Sequence, residues 1–251
     1  MSTSNPASAL NSGDSVTDNV NQTYVVCGCK SWNRQIFIDT IQHYPGRWHY
    51  VDSPSLLTTD WLSQIQPRYI FFLHWSWIVP AEIHRQYECV CFHMTDVPYG
   101  RGGSPLQNLI LRGHTHTKLT ALRMEEQLDA GPVYLKEPLS LQGSAQEILI
   151  RATELAAIII RHIIEQQPVP VPQQGEVVAF KRRQPKESQL PDEASIEQIY
   201  DFIRMLDGEG YPSAFINHGE FRIEFTQAQL IDGQVHAGVK IYKASTKDNA
   251  S

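Results

Sequence analysis

The two residues of this chain with the clearest capacity for catalysis are a histidine and an aspartate, 36 positions apart. His93 directly follows the apolar run 89–92, and Asp129 lies in a predicted turn over 127–132. An imidazole beside a carboxylate can work as a general acid or base, because the carboxylate fixes the tautomer and raises the basicity. Taken alone, His93 could equally be a structural residue at a strand end, and Asp129 a turn former.

Two further patterns could bind phosphate groups. The cluster Lys181-Arg182-Arg183 offers guanidinium forks that suit phosphate geometry, although a solvated charge run explains it equally well. The glycine-rich loop 96–105 lacks both the lysine of a P-loop and the spacing of a dinucleotide motif. We therefore expect this loop to let the backbone pass close to a ligand.

The four cysteines form two C-x-C pairs, Cys27 with Cys29 and Cys89 with Cys91. Zinc sites more often use a C-x-x-C spacing with further Cys or His ligands. We therefore expect buried, reduced thiols and no metal.

The elements that must position these groups alternate along the first two thirds of the chain. Short β-rich apolar runs predict strands at 24–27, 48–51, 69–73, 89–92, 118–124 and 133–139. Helical periodicity predicts helices at 34–43, 59–65, 106–111 and 144–165, the last with Ile150 and Ile158 on its inner stripe. Such alternation predicts an α/β fold with a Rossmann-like, mostly parallel sheet, whose functional groups gather at the carboxyl ends of the strands.

A proline-rich segment predicts a boundary after the long helix. Three prolines and a glycine within 166–175 indicate a semi-rigid linker that leads away from the main domain. A helix near 196–206 and short strands near 215, 221–225 and 239–242 then predict a smaller α+β domain. The expected division is a disordered tail at 1–22, a catalytic domain at 23–166, a linker at 167–180 and a C-terminal domain at 181–251.

Three motifs in order and register resemble the folate-dependent formyltransferases. The family pattern Asn-x-His-x-Ser-Leu-Leu-Pro, then Arg-Gly-x-x-Pro, then Leu-Asp-x-Gly is similar to the segments 91–98, 101–105 and 128–131. The family includes methionyl-tRNA formyltransferase, glycinamide ribonucleotide transformylase and the sugar N-formyltransferases. The stretches 180–188, 203–204 and 211–215 look like second-domain elements of the sugar enzymes and their tRNA relatives.

The resemblance implies an enzyme that moves a formyl group from 10-formyltetrahydrofolate to an amine, with His93 and Asp129 as catalytic residues. In place of the family's asparagine stands Cys91, a weak donor for a developing oxyanion. Gln107 and His74 are candidates to replace that amide. By analogy, the folate pocket would comprise Trp77, Ile78, Val79, Pro80, Arg101, Gly102, Leu128 and Gly131, and Lys181, Arg182 and Arg183 would bind the acceptor.

The acceptor is left open by the sequence. A net charge of −6 and a short second domain disfavour RNA. By resemblance we expect a nucleotide-linked amino sugar of the 4-amino-4,6-dideoxysugar type, destined for surface polysaccharide. The alternatives are methionyl-tRNA, another small amine, a binding protein without turnover, and hydrolysis of the formyl donor.

Composition is that of an ordinary globular protein, with 41% hydrophobic residues in 251. No apolar run approaches the roughly 18–20 residues of a membrane span, and the N-terminus lacks the features of a signal peptide. We expect a cytoplasmic enzyme with small-molecule substrates. The oligomeric state is undetermined, with a dimer among the options.

Overall fold

A six-stranded sheet forms the centre of the molecule. The structure is a computed structural model that describes residues 21–244, so most of the predicted tail and the last seven residues lie outside it. The strand order is β2-β1-β3-β4-β6-β7. The first four strands pair in parallel, whereas β6 pairs antiparallel with both of its neighbours, β4 and β7. These strands are β1 (Thr23–Gly28), β2 (Arg47–Val51), β3 (Tyr69–Leu73), β4 (Cys89–His93), β6 (His116–Arg123) and β7 (Val133–Ser140). The predicted α/β class with a mostly parallel sheet is thereby confirmed.

Helices cover the sheet and differ from the predictions mainly at their ends. They are α1 (Ser31–Asp39), α2 (Thr59–Ile65), α3 (Ala81–Gln86), α4 (Pro105–Leu111) and α5 (Ala145–Gln166). Helix α1 begins three residues before its predicted start, because the side chain of Asn33 accepts from the backbone N–H of Lys30 and caps the first turn. Helix α3, a short element after the loop 74–80, was not predicted.

The inner face of α5 differs from the predicted stripe. Ile150 and Ile158 are 37% and 62% exposed, so their assignment to the core was wrong. The buried side chains recur at helical spacing, and a residue two positions from such a site faces the other way. The buried stripe comprises Ala145, Ile148, Leu149, Ala152, Thr153, Ala156, Ala157, Ile159, Ile160, Ile163 and Ile164.

A second, smaller sheet follows helix α6 (Ile196–Arg204). It contains β9 (Ala214–His218), β10 (Phe221–Ile231) and β11 (Gln234–Lys243), all antiparallel in the order β11-β10-β9. Phe202 and Ile203 of α6 belong to the same buried cluster as the inner face of α5. The buried Arg204 also donates from Nη1 to the carbonyl oxygens of Leu141 and Gly143, at 2.6 and 2.8 Å. The C-terminal part of the chain, residues 181–244, is therefore packed firmly against the central sheet.

The proline-rich segment runs along the first part of the molecule, and the prediction that it leads away was wrong. Val171 and Val133 exchange two backbone hydrogen bonds of 2.8 Å. Strand β8 (Val178–Phe180) then pairs in parallel with β5 (Tyr99–Gly102). Proline lacks an N–H, but the residues between the prolines keep theirs and can pair with a neighbouring strand. The domain limits themselves stay a prediction.

Candidate active site

His93 and Asp129 come together at the carboxyl end of β4. His93 is the last residue of β4, and Asp129 lies in the loop between β6 and β7 with a positive φ of 53°. The imidazole Nδ1 lies 3.5 Å from Asp129 Oδ2, and both side chains are nearly buried. His93 Nε2 lies 2.7 Å from the carbonyl oxygen of Gly100. Because a carbonyl only accepts, Nε2 carries a proton, and Nδ1 faces the carboxylate.

Backbone and side-chain donors hold the aspartate loop in place. The N–H of Gly102 donates to Asp129 Oδ2 at 2.9 Å, on the same oxygen that faces the imidazole. Gln173 donates from Nε2 to the carbonyl oxygens of Asp129 and Gly131, both at 2.8 Å. These bonds fix the direction of the carboxylate before any substrate binds, which is the preorganisation that acid–base catalysis requires.

A cavity of about 560 Å³ opens beside this pair. Its size suits a ligand with several rings, since small-molecule sites commonly measure about 300–1,000 Å³. Residues of β3 and β4 and the segment 102–106 line it, and residues of the C-terminal part line another side. His93, Asp129 and Cys91 all line it. The predicted catalytic pair therefore faces a cavity of adequate volume.

One wall of the cavity is apolar and aromatic. Trp75 and Trp77 pack edge to face with ring centroids 4.9 Å apart, and Ile78 and Val79 continue the wall. Trp77 is 45% exposed and Ile78 is 86% exposed, so both present apolar surface that a ligand could cover. Such a wall fits the heteroaromatic ring of a folate. Pro80, the residue that precedes helix α3, does not line the cavity.

Of the other residues predicted to form the folate pocket, three line the cavity and one does not. Gly102, Leu128 and Gly131 line the cavity. Arg101 does not: its Nε and Nη2 both donate to Gln173 Oε1, at 3.0 and 2.8 Å. A guanidinium held by a neighbouring amide in this manner braces the aspartate loop, and a part of Arg101 in the folate pocket stays a prediction.

The two candidates for the missing amide differ in whether they line the cavity. Gln107 is buried and donates from Nε2 to the carbonyl oxygen of Met205 at 3.1 Å, away from the cavity. The side chain points from α4 toward the C-terminal part, and a catalytic role of Gln107 stays a prediction. His74 does line the cavity.

Cys91 lies in the cavity floor but is a poor oxyanion donor. Its thiol points to the carbonyl oxygen of Leu122 at 3.8 Å. Burial, together with the negative charges of Asp129 and Cys89, raises the pKa of the Cys91 thiol well above its usual range. The group therefore stays protonated and weakly polar at neutral pH. All four cysteines are free, with Cys27 and Cys89 buried and Cys29 and Cys91 only partly so.

The predicted basic cluster contributes one side chain to the site. Arg182 lines the cavity mouth. Lys181 does not line it. The Arg183 guanidinium packs 5.5 Å from the ring centroid of Phe202 and donates to the carbonyl oxygen of Glu187, and burial lowers its pKa. For Lys181 and Arg183 a part in acceptor binding stays a prediction.

Sequence reasoning missed two residues at the cavity mouth. Lys30 and Tyr211 both line it, and Lys30 donates to the carbonyl oxygen of Glu209 at 3.3 Å. Lys30 could have been found, since it follows β1 at the sheet edge where His93 ends β4. Tyr211 comes from the loop before β9, whose position depends on how the C-terminal part packs.

Within residues 21–244 no group of three or more His, Cys, Asp or Glu side chains could hold a metal ion. Over the same range, none of the helices has the length and apolarity to cross a bilayer.

Comparison with known proteins identifies the family to which this fold and site belong. Methionyl-tRNA formyltransferase from Clostridium thermocellum is 41% identical, covers 89% of this chain and is itself covered completely, with a TM-score of 0.84. Residues 185–242 match the family model described as methionyl-tRNA formyltransferase, C-terminal domain. The chain belongs to the formyltransferase family.

One more distant relative and one structure of the same fold complete the comparison. Methionyl-tRNA formyltransferase of Rickettsia typhi is 27% identical over 197 residues, which are 74% of this chain. The aligned part spans only 64% of that relative's length. HypX from Aquifex aeolicus, solved in complex with tetrahydrofolic acid, shares the fold with a TM-score of 0.66 at 15% identity, over 82% of this chain and 37% of HypX.

Proposed function

We propose that this protein transfers a formyl group from 10-formyltetrahydrofolate to the amine of a nucleotide-linked amino sugar of the 4-amino-4,6-dideoxysugar type, for the synthesis of surface polysaccharide. The observation that carries the formyl transfer is the His93–Asp129 pair facing a cavity with an apolar, aromatic wall. Family membership supports the same reaction, and the name of the HypX complex supports a folate as the donor.

The residues present match the steps of an acyl transfer. The acceptor amine attacks the formyl carbon, the carbonyl oxygen becomes negative, and the bond from that carbon to the folate nitrogen then breaks. The amine loses one proton and the folate nitrogen gains one, so a group that both accepts and donates protons is needed. His93 supplies that group through Nδ1, the nitrogen that faces Asp129, because its Nε2–H is held by the carbonyl oxygen of Gly100.

The charge of the C-terminal part favours a small acceptor. Residues 181–244 contain eight Lys and Arg against ten Asp and Glu. Proteins that bind RNA usually present a basic face, because affinity depends on neutralising several phosphates. Lys30 and Arg182 at the cavity mouth provide two cations, enough for the diphosphate of a nucleotide sugar.

Methionyl-tRNA is the second candidate acceptor, and the names of the relatives favour it. Both the Clostridium and the Rickettsia proteins are methionyl-tRNA formyltransferases, and the first is covered completely by this chain. The acidic C-terminal part counts against this candidate, so the two acceptors require a direct comparison.

One experiment separates these options. The purified protein is given 10-formyltetrahydrofolate with UDP- or dTDP-linked 4-amino-4,6-dideoxysugars, or with methionyl-tRNA, and product is identified by its mass gain of one formyl group. We expect formylated sugar and no formyl-methionyl-tRNA. Formylation of the tRNA alone would move the assignment to the second candidate. Release of formate at the full rate without any amine would identify a hydrolase.

A further inference from the structure

His74 occupies the sheet edge beside the catalytic histidine. It directly follows Leu73, the last residue of β3, and Phe72 of β3 pairs with Cys91 of β4. Two residues beyond that pair, His74 and His93 stand at the same level of adjacent strands, and both line the cavity. His74 adopts a positive φ of 48°, which is uncommon for a residue with a Cβ and is kept only where the surroundings impose it.

Buried neighbours determine the tautomer of His74. The side-chain oxygen of Asn33 accepts from the backbone N–H of Lys30, which turns the Asn33 amide nitrogen toward His74. That nitrogen lies 3.3 Å from His74 Nδ1, so Nδ1 must accept. The hydroxyl of Thr153 lies 3.4 Å from Nδ1 but donates its own proton to the carbonyl oxygen of Leu149. The ring proton of neutral His74 therefore lies on Nε2, the nitrogen opposite this network.

The same surroundings keep the ring neutral. Burial, with a smaller contribution from the ammonium of Lys30, lowers the pKa of His74 to about 4. At neutral pH the ring is an uncharged imidazole, with one nitrogen that accepts and one that donates. Such a group can donate a hydrogen bond to an oxyanion without giving up its proton.

We propose that Nε2–H of His74 donates to the formyl carbonyl oxygen and stabilises the oxyanion, in the role of the asparagine amide that Cys91 replaces. This inference rests on the proposed formyl transfer. No covalent bond to His74 forms or breaks. The oxygen becomes negative as the amine attacks, and its electron pair re-forms the carbonyl double bond when the folate nitrogen leaves. His74 is thus a catalytic residue of a kind that the family pattern does not contain.

Four other polar side chains of this region already have partners. The thiol of Cys91 points to Leu122, and the amide of Gln107 points to Met205. Lys30 is held by the carbonyl oxygen of Glu209 at the mouth. His93 Nε2 is held by Gly100.

The first test compares His74→Ala with His74→Gln, which keeps an N–H donor, and with His162→Ala, an exposed histidine on α5. Loss of one oxyanion donor typically lowers kcat by about 10²–10³-fold. We expect that loss in His74→Ala with the KM for 10-formyltetrahydrofolate changed by less than about threefold, partial recovery in His74→Gln, and no change in His162→Ala. A kcat of His74→Ala within threefold of wild type would overturn the role of His74 while formyl transfer stands.

The second test restores the family amide. In the double variant Cys91→Asn/His74→Ala, an asparagine in the cavity floor should recover at least tenfold of the lost kcat, because it supplies an N–H where the family pattern has one. This result would also show that the single variant is folded. Absence of recovery in a double variant with wild-type melting behaviour would count against an oxyanion role.

The third test needs no turnover and separates this inference from the proposed function. Two-bond 15N–1H NMR spectra of the imidazole rings report tautomer and protonation directly. We expect His74 to be the Nε2–H tautomer and to stay neutral from pH 8 down to pH 5. Titration of His74 near pH 6.5, or a proton on Nδ1, would refute the inference even if the protein proves an active formyltransferase. If wild type turns over no acceptor but these spectra are as expected, the proposed function fails and the catalytic role falls with it.

Discussion

Gln173 and Asp129 are joined by a hydrogen bond of 2.8 Å from the glutamine Nε2 to the aspartate carbonyl oxygen, so the segment after α5 holds the catalytic loop. The same amide donates to the carbonyl of Gly131 and accepts from Arg101. One side chain thus makes four hydrogen bonds that keep Asp129 in a left-handed conformation next to His93.

Replacing Gln173 by alanine should lower kcat on the order of tenfold to a hundredfold, since displacements near 1 Å at a reacting group have effects of this size. The loss of its hydrogen bonds should also reduce the free energy of unfolding by about 1–3 kcal/mol. Steady-state kinetics and urea unfolding measure both effects. The adjacent, exposed Gln174 provides the control, and an equal loss of rate in Gln174→Ala would contradict the assignment.

Asp129→Asn should keep the fold and lose the reaction. Asparagine tolerates positive φ and can still accept from the N–H of Gly102, but it cannot supply the negative charge that faces the imidazole. We expect kcat to fall by about 10²–10⁴-fold, as in other sites that lose general acid–base catalysis. Folate binding, measured by isothermal titration calorimetry, should change little. A fall of less than fivefold in kcat would remove Asp129 from the mechanism.

Gly131→Ala should destabilise the protein by its effect on the β6–β7 loop. A Cβ at this position would lie 1.8 Å from the carbonyl oxygen of Arg123, so the backbone must move. Overpacking of this kind costs about 1–3 kcal/mol or more. The control is Gly113→Ala, where a Cβ would meet nothing within 4 Å and only the φ of +76° is unfavourable. Thermal unfolding should show the larger loss for Gly131→Ala, and the reverse order would refute this account.

Arg204→Met should loosen the C-terminal part from the central sheet. The variant leaves the carbonyls of Leu141 and Gly143 buried without their donor, at a cost of about 3 kcal/mol. Urea unfolding measures the loss. Arg161→Met, which removes an exposed ion pair with Glu165 on α5, should change the midpoint little. A similar small effect in both variants would show that Arg204 does not hold the two parts together.

The stability conferred by Asp96 should depend on pH. Partial burial would raise the pKa of Asp96, but the hydrogen bond and charge of Lys136 and the charge of Lys118 outweigh it, and the pKa is lowered. A group with a lowered folded-state pKa stabilises the protein above its unfolded pKa, near 3.9, and loses that effect as pH falls through the folded value.

Asp96→Asn should therefore be less stable than wild type at pH 7, and the difference should shrink below about pH 4. Urea unfolding at several pH values gives both curves, with the exposed Glu193→Gln as control. A difference that grows on acidification would have the wrong sign for this ion pair.

The sequence alone was sufficient for the features that depend on local pattern. Alternating apolar runs predicted the strands of the central sheet, and the capping residues of α2 and α5, Thr58 and Ser144, begin those helices as their side chains require. The motif spacing also placed His93 and Asp129 in one site, where His93 Nδ1 lies 3.5 Å from Asp129 Oδ2.

Tertiary packing decided the rest. Arg101 and Gln107 carry the right chemistry for a binding site, but Gln173 and Met205, which are 72 and 98 residues further along the chain, draw them away from the cavity. In the opposite direction, Lys30, His74 and Tyr211 enter the cavity from separate elements. Local sequence determines which side chains stand at a sheet edge. Which of them face the ligand depends on long-range partners that satisfy the buried donors and acceptors, and these exist only once the chain has folded.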